Sequence, residues 1–205
     1  MPGENLTRVE AQDRAKTVNT ESYLVELDLT DDDKTFSSKT TVHFSANPGA
    51  STFIDAITDS VQSILLNGKS LDPAMHSDNL RINLPDLQQK NVLIVEARGK
   101  YSNSGEGLHR FVDPVDNEVY LYTQFEVPDS RRMFAVFEQP DLKATYEFHV
   151  TAKADWKVIS NSTTPKPMEL GGGKSVWKFE PTPRMSSYIT ALIAGPYQVW
   201  ADELT

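Results

Sequence analysis

Short runs of β-branched, aromatic and aliphatic residues, separated by clusters of Gly, Pro, Asn and Asp, dominate the sequence after Ser22. In the first run, Tyr23, Val25, Leu27 and Leu29 recur at the period of two that a half-buried strand requires. The runs are SYLVELDL, KTTVHFSA, STFIDAI, VQSILL, LRINL, NVLIVEA, VYLYTQFEV, TYEFHVTA, WKVISN, SVWKFE and SYITALIAG. Many short strands joined by turns are typical of an all-β domain. We therefore predict a mainly β fold with largely antiparallel pairing.

Two turns and one helix can be placed within this pattern. Asn67-Gly68 stands between SILL and KSLD, and a type I′ hairpin turn needs positive φ at both central residues, which Asn and Gly tolerate. The three glycines at 171–173 predict a second, looser turn. Thr7 followed by Glu10 has capping-box spacing, so we predict one short amino-terminal helix over 7–17. The expected organisation is a helical extension at 1–20 and a β-domain at 21–205.

Composition limits the possible partners and locations. The chain has 29 acidic and 20 basic residues, and a surface of that sign repels the phosphates of nucleic acids. It has no cysteine, which fits a reducing compartment and makes the cytoplasm the expected location. The sequence shows neither a signal-peptide pattern nor a run of about 20 apolar residues. We expect no nucleic acid and no membrane partner.

Catalytic and metal-binding signatures are missing from the sequence. The four histidines are far apart: His43, His76, His109 and His149. No pair has the i,i+4 spacing of an HExxH zinc helix, and nucleophile elbows and phosphate-binding loops are absent as well. The aspartates at 31–33 lack the glycine and distal glutamate of a calcium loop, so we expect a solvated turn there. We assign no catalytic residue and no metal ligand to this chain.

An amide and a carboxylate stand two residues apart in the run VYLYTQFEV, after a segment, GEGLHRF, that is predicted to be a Gly-rich loop. On a strand, Gln124 and Glu126 would share one face while Phe125 points to the core. A neutral carbonyl oxygen beside an anionic oxygen suits a free α-ammonium group, which has three donors and no acceptor. The two side chains could equally be ordinary polar groups on the solvent face of a sheet. Spacing alone leaves both interpretations open.

The string TQFEVPDSRRMFAVFEQPDLKATYEF carries a family resemblance. It is similar to the pattern of M1-family zinc aminopeptidases, in which Gln-x-Glu is followed by Arg, aromatic residues, Gln-Pro and Lys-Ala. The matching residues are Gln124, Glu126, Arg131, Phe134, Phe137, Gln139, Pro140, Lys143 and Ala144. The segments GLHRF and NLTRVEAQDRAKTV resemble the bacterial aminopeptidase N branch. The chain departs from the pattern at three positions: Ser130 replaces the usual Ala, Val136 replaces Cys, and Glu138 replaces Asp.

The resemblance implies a saddle-like, antiparallel β-sandwich or sheet domain at the amino terminus of a longer metalloaminopeptidase, which removes amino-terminal residues from peptides. In that enzyme Glu126, helped by Gln124, would bind the α-amine of the substrate, and this domain would cover the active site. The zinc site and the catalytic base would belong to the protein's own catalytic domain, beyond Thr205. We expect the chain alone to be inactive and to hold no cofactor. Its expected partners are that catalytic domain and peptides with a free amino terminus.

Other prominent residues have structural interpretations. Arg131 and Arg132 could bind a substrate carboxylate, but ion pairing with Asp129 or Glu138 is the favoured interpretation. The remaining aromatic residues are expected in the core or at a domain interface: Phe134, Phe137, Trp156, Trp177 and Tyr188. An alternative function from another class is a stand-alone β-sandwich module that binds a protein or a ligand. That alternative predicts an exposed aromatic patch.

Overall fold

A computed structural model describes residues 5–200, and the architecture is mainly β, as predicted. The helical elements are α1 (Arg8–Thr17), the short α2 (Pro73–His76) and two 3-10 turns, Ser130–Arg132 and Ser187–Ile189. The strands are β1 (Val18–Asp28), β2 (Thr35–Ala46), β3 (Thr52–Asp55), β4 (Ser60–Leu66), β5 (Lys69–Leu71), β6 (Arg81–Leu84), β7 (Lys90–Lys100), β8 (Gly107–Val112), β9 (Val119–Gln124), β10 (Thr145–Lys153), β11 (Lys157–Ser160), β12 (Met168–Gly171), β13 (Lys174–Lys178) and β14 (Leu192–Gly195).

Three sheets organise the described strands. An eight-stranded sheet has the order β12-β13-β10-β1-β2-β7-β4-β5, a four-stranded sheet has the order β11-β14-β9-β8, and β3 pairs with β6. The pairings are antiparallel except that β10 lies parallel to β1, with Tyr23 opposite Tyr146. The prediction of largely antiparallel pairing is therefore confirmed. One hydrophobic core joins residues of the eight-stranded and four-stranded sheets.

The predicted local features are present. Tyr23, Val25 and Leu27 are buried while their neighbours on β1 are partly exposed, which is the period-two pattern. Asn67 (φ 53°) and Gly68 (φ 78°) form the turn between β4 and β5. All three glycines at 171–173 have positive φ and connect β12 to β13.

Helix α1 begins where the capping box predicts. The Thr7 hydroxyl accepts from the Glu10 N–H, and the Glu10 carboxylate accepts from the Thr7 N–H at 2.8 Å. Strand β1 follows α1 directly, beginning at Val18. None of the helices within residues 5–200 is long and apolar enough to cross a membrane.

The Gly-rich segment before the candidate site is the main difference from the sequence prediction. Residues 107–112 form strand β8 rather than a loop, because they pair in register with β9 from Gly107↔Gln124 to Val112↔Val119. Gly107 has φ 64°, and a Cβ at this position would lie 2.8 Å from the Cβ of Arg132. The loop-like sequence therefore reflects a close approach between β8 and the first 3-10 turn, not the absence of a strand.

Candidate functional site

Gln124 and Glu126 are exposed residues at the end of β9 and in the turn that follows it. The strand ends at Gln124, and Glu126 lies in the turn that follows, so the expectation that both stand on a strand is wrong for Glu126. Both side chains are nevertheless exposed, and Phe125 between them is only 2% exposed, as predicted. The Phe125 ring packs edge-on against Phe134, with centroids 6.4 Å apart. Burial of Phe125 in the core therefore turns its two polar neighbours outward.

The two polar side chains are linked to each other through the backbone. The Gln124 Oε1 atom accepts a hydrogen bond from the Glu126 N–H at 3.0 Å, which directs the amide oxygen toward the residue that bears the carboxylate. Within residues 5–200 the Glu126 carboxylate has no ion-pair or hydrogen-bond partner. An amide oxygen has a second lone pair and a carboxylate has several. The pair can therefore accept hydrogen bonds from an incoming cationic donor.

The turn that carries Glu126 is closed at its base. The Asp129 N–H donates to the Phe125 carbonyl at 3.1 Å. The favoured interpretation of the arginines holds for Arg132, whose Nε donates to the Asp129 carboxylate at 2.6 Å and whose Nη2 lies 3.7 Å from Glu106. Arg131 is buried; its backbone N–H donates to Glu138 at 2.8 Å and its Nη2 donates to the Asn5 Oδ1 at 3.2 Å. These contacts hold the carboxyl-terminal side of the turn, after Glu126 in the sequence.

A buried polar cluster lies beneath this turn. Glu138, 4% exposed, accepts from the hydroxyls of Ser130 and Ser187 as well as from the Arg131 N–H. Burial raises the pKa of the Glu138 carboxyl, and these hydrogen bonds oppose that rise. The carboxylate thus sits in a low-dielectric site where each hydrogen bond is strong.

The same cluster reaches helix α1 through Arg14, which is 1% exposed. Its Nη1 atom lies 2.6 Å from the Asp55 carboxylate, its Nε donates to the Gln139 side chain at 3.1 Å, and its Nη2 donates to the Glu138 carbonyl at 3.2 Å. No sequence motif singles out Arg14. The available signal was that α1 has no apolar stripe, so that a polar contact must hold it against the sheet.

The face of the four-stranded sheet that bears Gln124 carries several partly exposed apolar side chains. Its strands place four residues opposite one another in one row: Ile159 on β11, Ile193 on β14, Tyr122 on β9 and His109 on β8. Tyr122 is 40% exposed, and the His109 ring packs on it with centroids 4.7 Å apart. The opposite face of this sheet faces the core through Leu108, Leu121, Val158 and Ala194. We call the row from Ile159 to His109 the apolar row; it borders the candidate site.

The other residues singled out by the sequence pack in the core or form ion pairs at the surface. Four of the five aromatics are core residues and the fifth packs partly buried against the core: Phe134, Phe137, Trp156, Trp177 and Tyr188. The aspartates at 31–33 form the turn between β1 and β2 and pair with Arg98 and Arg110. Among the residues that the structure describes, no three His, Asp or Glu side chains cluster as a metal site would require.

Both side chains of the candidate site, Gln124 and Glu126, are exposed. A cleft of about 420 Å³ lies elsewhere, on the eight-stranded sheet, between Glu26, Lys39 and His149. Neither Gln124 nor Glu126 lines it. A ligand held at the end of β9 would therefore be enclosed only if a second surface covered it.

Comparisons with known proteins agree with the resemblance seen in the sequence. The family model for the peptidase M1 N-terminal domain matches residues 19–189. An aminopeptidase N from Streptomyces lividans is 55% identical over 201 residues, which cover 96% of this chain and 23% of that protein. A leucyl aminopeptidase from Saccharolobus solfataricus is 30% identical over 151 residues, 73% of this chain and 19% of its own length. The chain thus spans about a quarter or less of these relatives, and it belongs to the family of peptidase M1 N-terminal domains.

Proposed function

We propose that this chain is the amino-terminal domain of a zinc metalloaminopeptidase, and that Glu126 and Gln124 bind the α-ammonium group of the peptide substrate. The observation that carries this proposal is the pair of exposed acceptors at the end of β9, an unpaired carboxylate and an amide oxygen that accepts from the N–H of the carboxylate's own residue at 3.0 Å. An ammonium needs acceptors alone, and a charged acceptor beside a neutral one supplies them.

Binding of the α-ammonium would set the register of the substrate. If the first nitrogen of the peptide is fixed at Glu126, the first peptide bond lies at a constant distance from that carboxylate. Cleavage is then confined to the amino-terminal residue, since an internal peptide nitrogen carries no charge to pair with Glu126. The contact contributes to catalysis by orientation rather than by chemistry.

The zinc and the general base would come from another part of the protein. No metal-binding cluster exists within residues 5–200, so we assign no step of bond cleavage to these side chains. The chain alone is expected to be inactive. The absence of cysteine supports the cytoplasm as its location, and detection of the protein outside the cytoplasmic fraction of cells would contradict that part of the proposal.

We assign the surface around the apolar row to contact with the protein's own catalytic domain. Tyr122 and Ile193 are about two-fifths exposed and lie beside the candidate site, so the surface that covers them would also enclose a ligand at Glu126. Hydroxyl-radical labelling of Tyr122 should be strong in the 205-residue chain and weak in the longer protein. Equal labelling in both would favour the stand-alone binding module, for which the same exposed aromatic surface would be the binding site.

The amine-binding role is tested by Glu126→Gln in the longer, zinc-loaded protein. Glu118→Gln is the matched control, because it makes the same change at an exposed position near the other end of β9. A hydrogen bond to a charged group is worth about 1.5–3 kcal/mol, so Glu126→Gln should lower kcat/KM on aminoacyl-anilides by roughly 10- to 100-fold. Equal activity of the two variants would refute the amine-binding role.

A further inference from the structure

One buried carboxylate contacts the two segments that adjoin the candidate site, the 3-10 turn after Glu126 and the 3-10 turn before β14. Glu138 is 4% exposed, and its two oxygens bind different segments of the chain. We infer that Glu138 is a positioning residue that fixes the Glu126 turn relative to the Gln124 strand. This inference rests on the proposed amine-binding function of Gln124 and Glu126.

The first oxygen holds the turn that carries Glu126. Glu138 Oε2 accepts from the Ser130 hydroxyl and from the Arg131 N–H, the latter at 2.8 Å. These donors begin the 3-10 turn immediately after the Phe125–Asp129 turn, which is itself closed by the Asp129 N–H donating to the Phe125 carbonyl. Loss of the Oε2 contacts would weaken the hold on the carboxyl-terminal side of the turn, where the Asp129 contacts remain, while Phe125 still held its amino-terminal side.

The second oxygen holds the strand that pairs with β9. Glu138 Oε1 accepts from the Ser187 hydroxyl at 2.5 Å. Ser187 begins the second 3-10 turn, which leads directly into β14, where the Leu192 N–H donates to the Thr123 hydroxyl at 2.9 Å. Thr123 precedes Gln124 on β9, so this chain of contacts runs from Glu138 to the residue next to Gln124.

The Glu138 backbone is itself held by hydrogen bonds on both sides. The Glu138 N–H donates to Asp55 at 3.1 Å, and the Glu138 carbonyl accepts from Arg14 at 3.2 Å. A group that is fixed by its backbone, buried, and bound on both oxygens has one position available to it.

The test measures how much an α-amino group improves binding. In the longer, zinc-loaded protein, the Ki of an amino-acid hydroxamate is divided by the Ki of its analogue without the amino group. Glu138→Gln puts an amide NH2 where an acceptor is needed, and we expect it to weaken the amine preference by roughly 3- to 10-fold. Ser187→Ala, which removes only the Oε1 contact, should weaken it less and keeps the test valid if Glu138→Gln does not fold.

A stability control and a second background separate positioning from general damage. Val150→Ala removes fully buried methyl groups from β10 and should lower the melting temperature without changing the amine preference. In the Glu126→Gln background, Glu138→Gln should have no further effect on the preference, because the group it positions is gone. If Glu126→Gln lowers the preference but Glu138→Gln and Ser187→Ala act like Val150→Ala, the positioning role is wrong and the proposed function stands. If Glu126→Gln leaves the preference unchanged, both are wrong.

Discussion

Replacing Arg14 by Met should destabilise the protein by about 3 kcal/mol, toward the lower end of the 3–5 kcal/mol expected when one partner of a buried ion pair is removed. Arg14 and Asp55 are each 1% exposed and 2.6 Å apart. Without Arg14, the Asp55 carboxylate keeps the Glu138 N–H at 3.1 Å and the Arg81 guanidinium at 3.8 Å. Arg81 compensates for part of the lost charge, which is why we expect the lower end. Arg and Met have nearly equal helix propensities, so the loss does not arise from α1 itself.

The assay is urea unfolding near neutral pH, followed by the fluorescence of the buried residues Trp156 and Trp177. Arg8→Met is the matched control, since Arg8 is exposed on the same helix and its loss should change the free energy of unfolding by less than about 0.5 kcal/mol. Adding Asp55→Asn to Arg14→Met should restore part of the stability, because it removes the stranded charge. A cost for Arg14→Met no greater than that for Arg8→Met would refute the argument that a buried charge pair holds α1 in place.

Two further predictions concern α1 and the large sheet. Hydrogen bonds from Arg81 and from the Thr7 N–H lower the pKa of Glu10 to about 2, so the contribution of this carboxylate to stability is complete above its ordinary pKa and is lost as the pH falls toward 2. The stability difference between wild type and Glu10→Gln should be about 1 kcal/mol at neutral pH, because the group is partly exposed. In thermal scans this difference should shrink steadily below about pH 4.5, and a constant difference would contradict the prediction. Gly99→Ala should lower the free energy of unfolding by about 1–3 kcal/mol because the new Cβ would lie 2.3 Å from the Phe36 ring. Measured by urea unfolding, the same substitution should be less destabilising in the Phe36→Leu background. If the effects of the two substitutions simply add, the ring is not the obstacle.

The sequence predicted the local elements well because their signals are local. The Asn67-Gly68 turn depends on two residues that tolerate positive φ, and the α1 start depends on side chains three residues apart. The pairing of β1 with β10 had no such signal. It joins Tyr23 to Tyr146 across the whole intervening chain, and strand neighbours at that separation are chosen by packing in the core rather than by residue type.

At the candidate site, the pattern of exposure was predicted correctly and the secondary structure of Glu126 was not. The alternation of exposed Gln124, buried Phe125 and exposed Glu126 follows from the hydrophobic pattern. The assignment of Glu126 to a strand is wrong because the hydrogen bond from the Asp129 N–H to the Phe125 carbonyl forms a turn. Propensity could not separate the two conformations, since a turn anchored by a buried aromatic residue and a strand give the same order of exposure.

The buried cluster explains why distant parts of the sequence must be considered together. Helix α1 lies more than 100 residues before the Glu126 turn, yet Arg14 binds the backbone of Glu138, whose carboxylate binds Ser130 and Ser187. No apolar stripe on α1 could hold it against the sheet, so its contact with the body depends on charges that are buried only because the rest of the fold covers them. The sequence of α1 alone would suggest a dispensable extension. Through Arg14, however, α1 is part of the support for the proposed amine-binding surface.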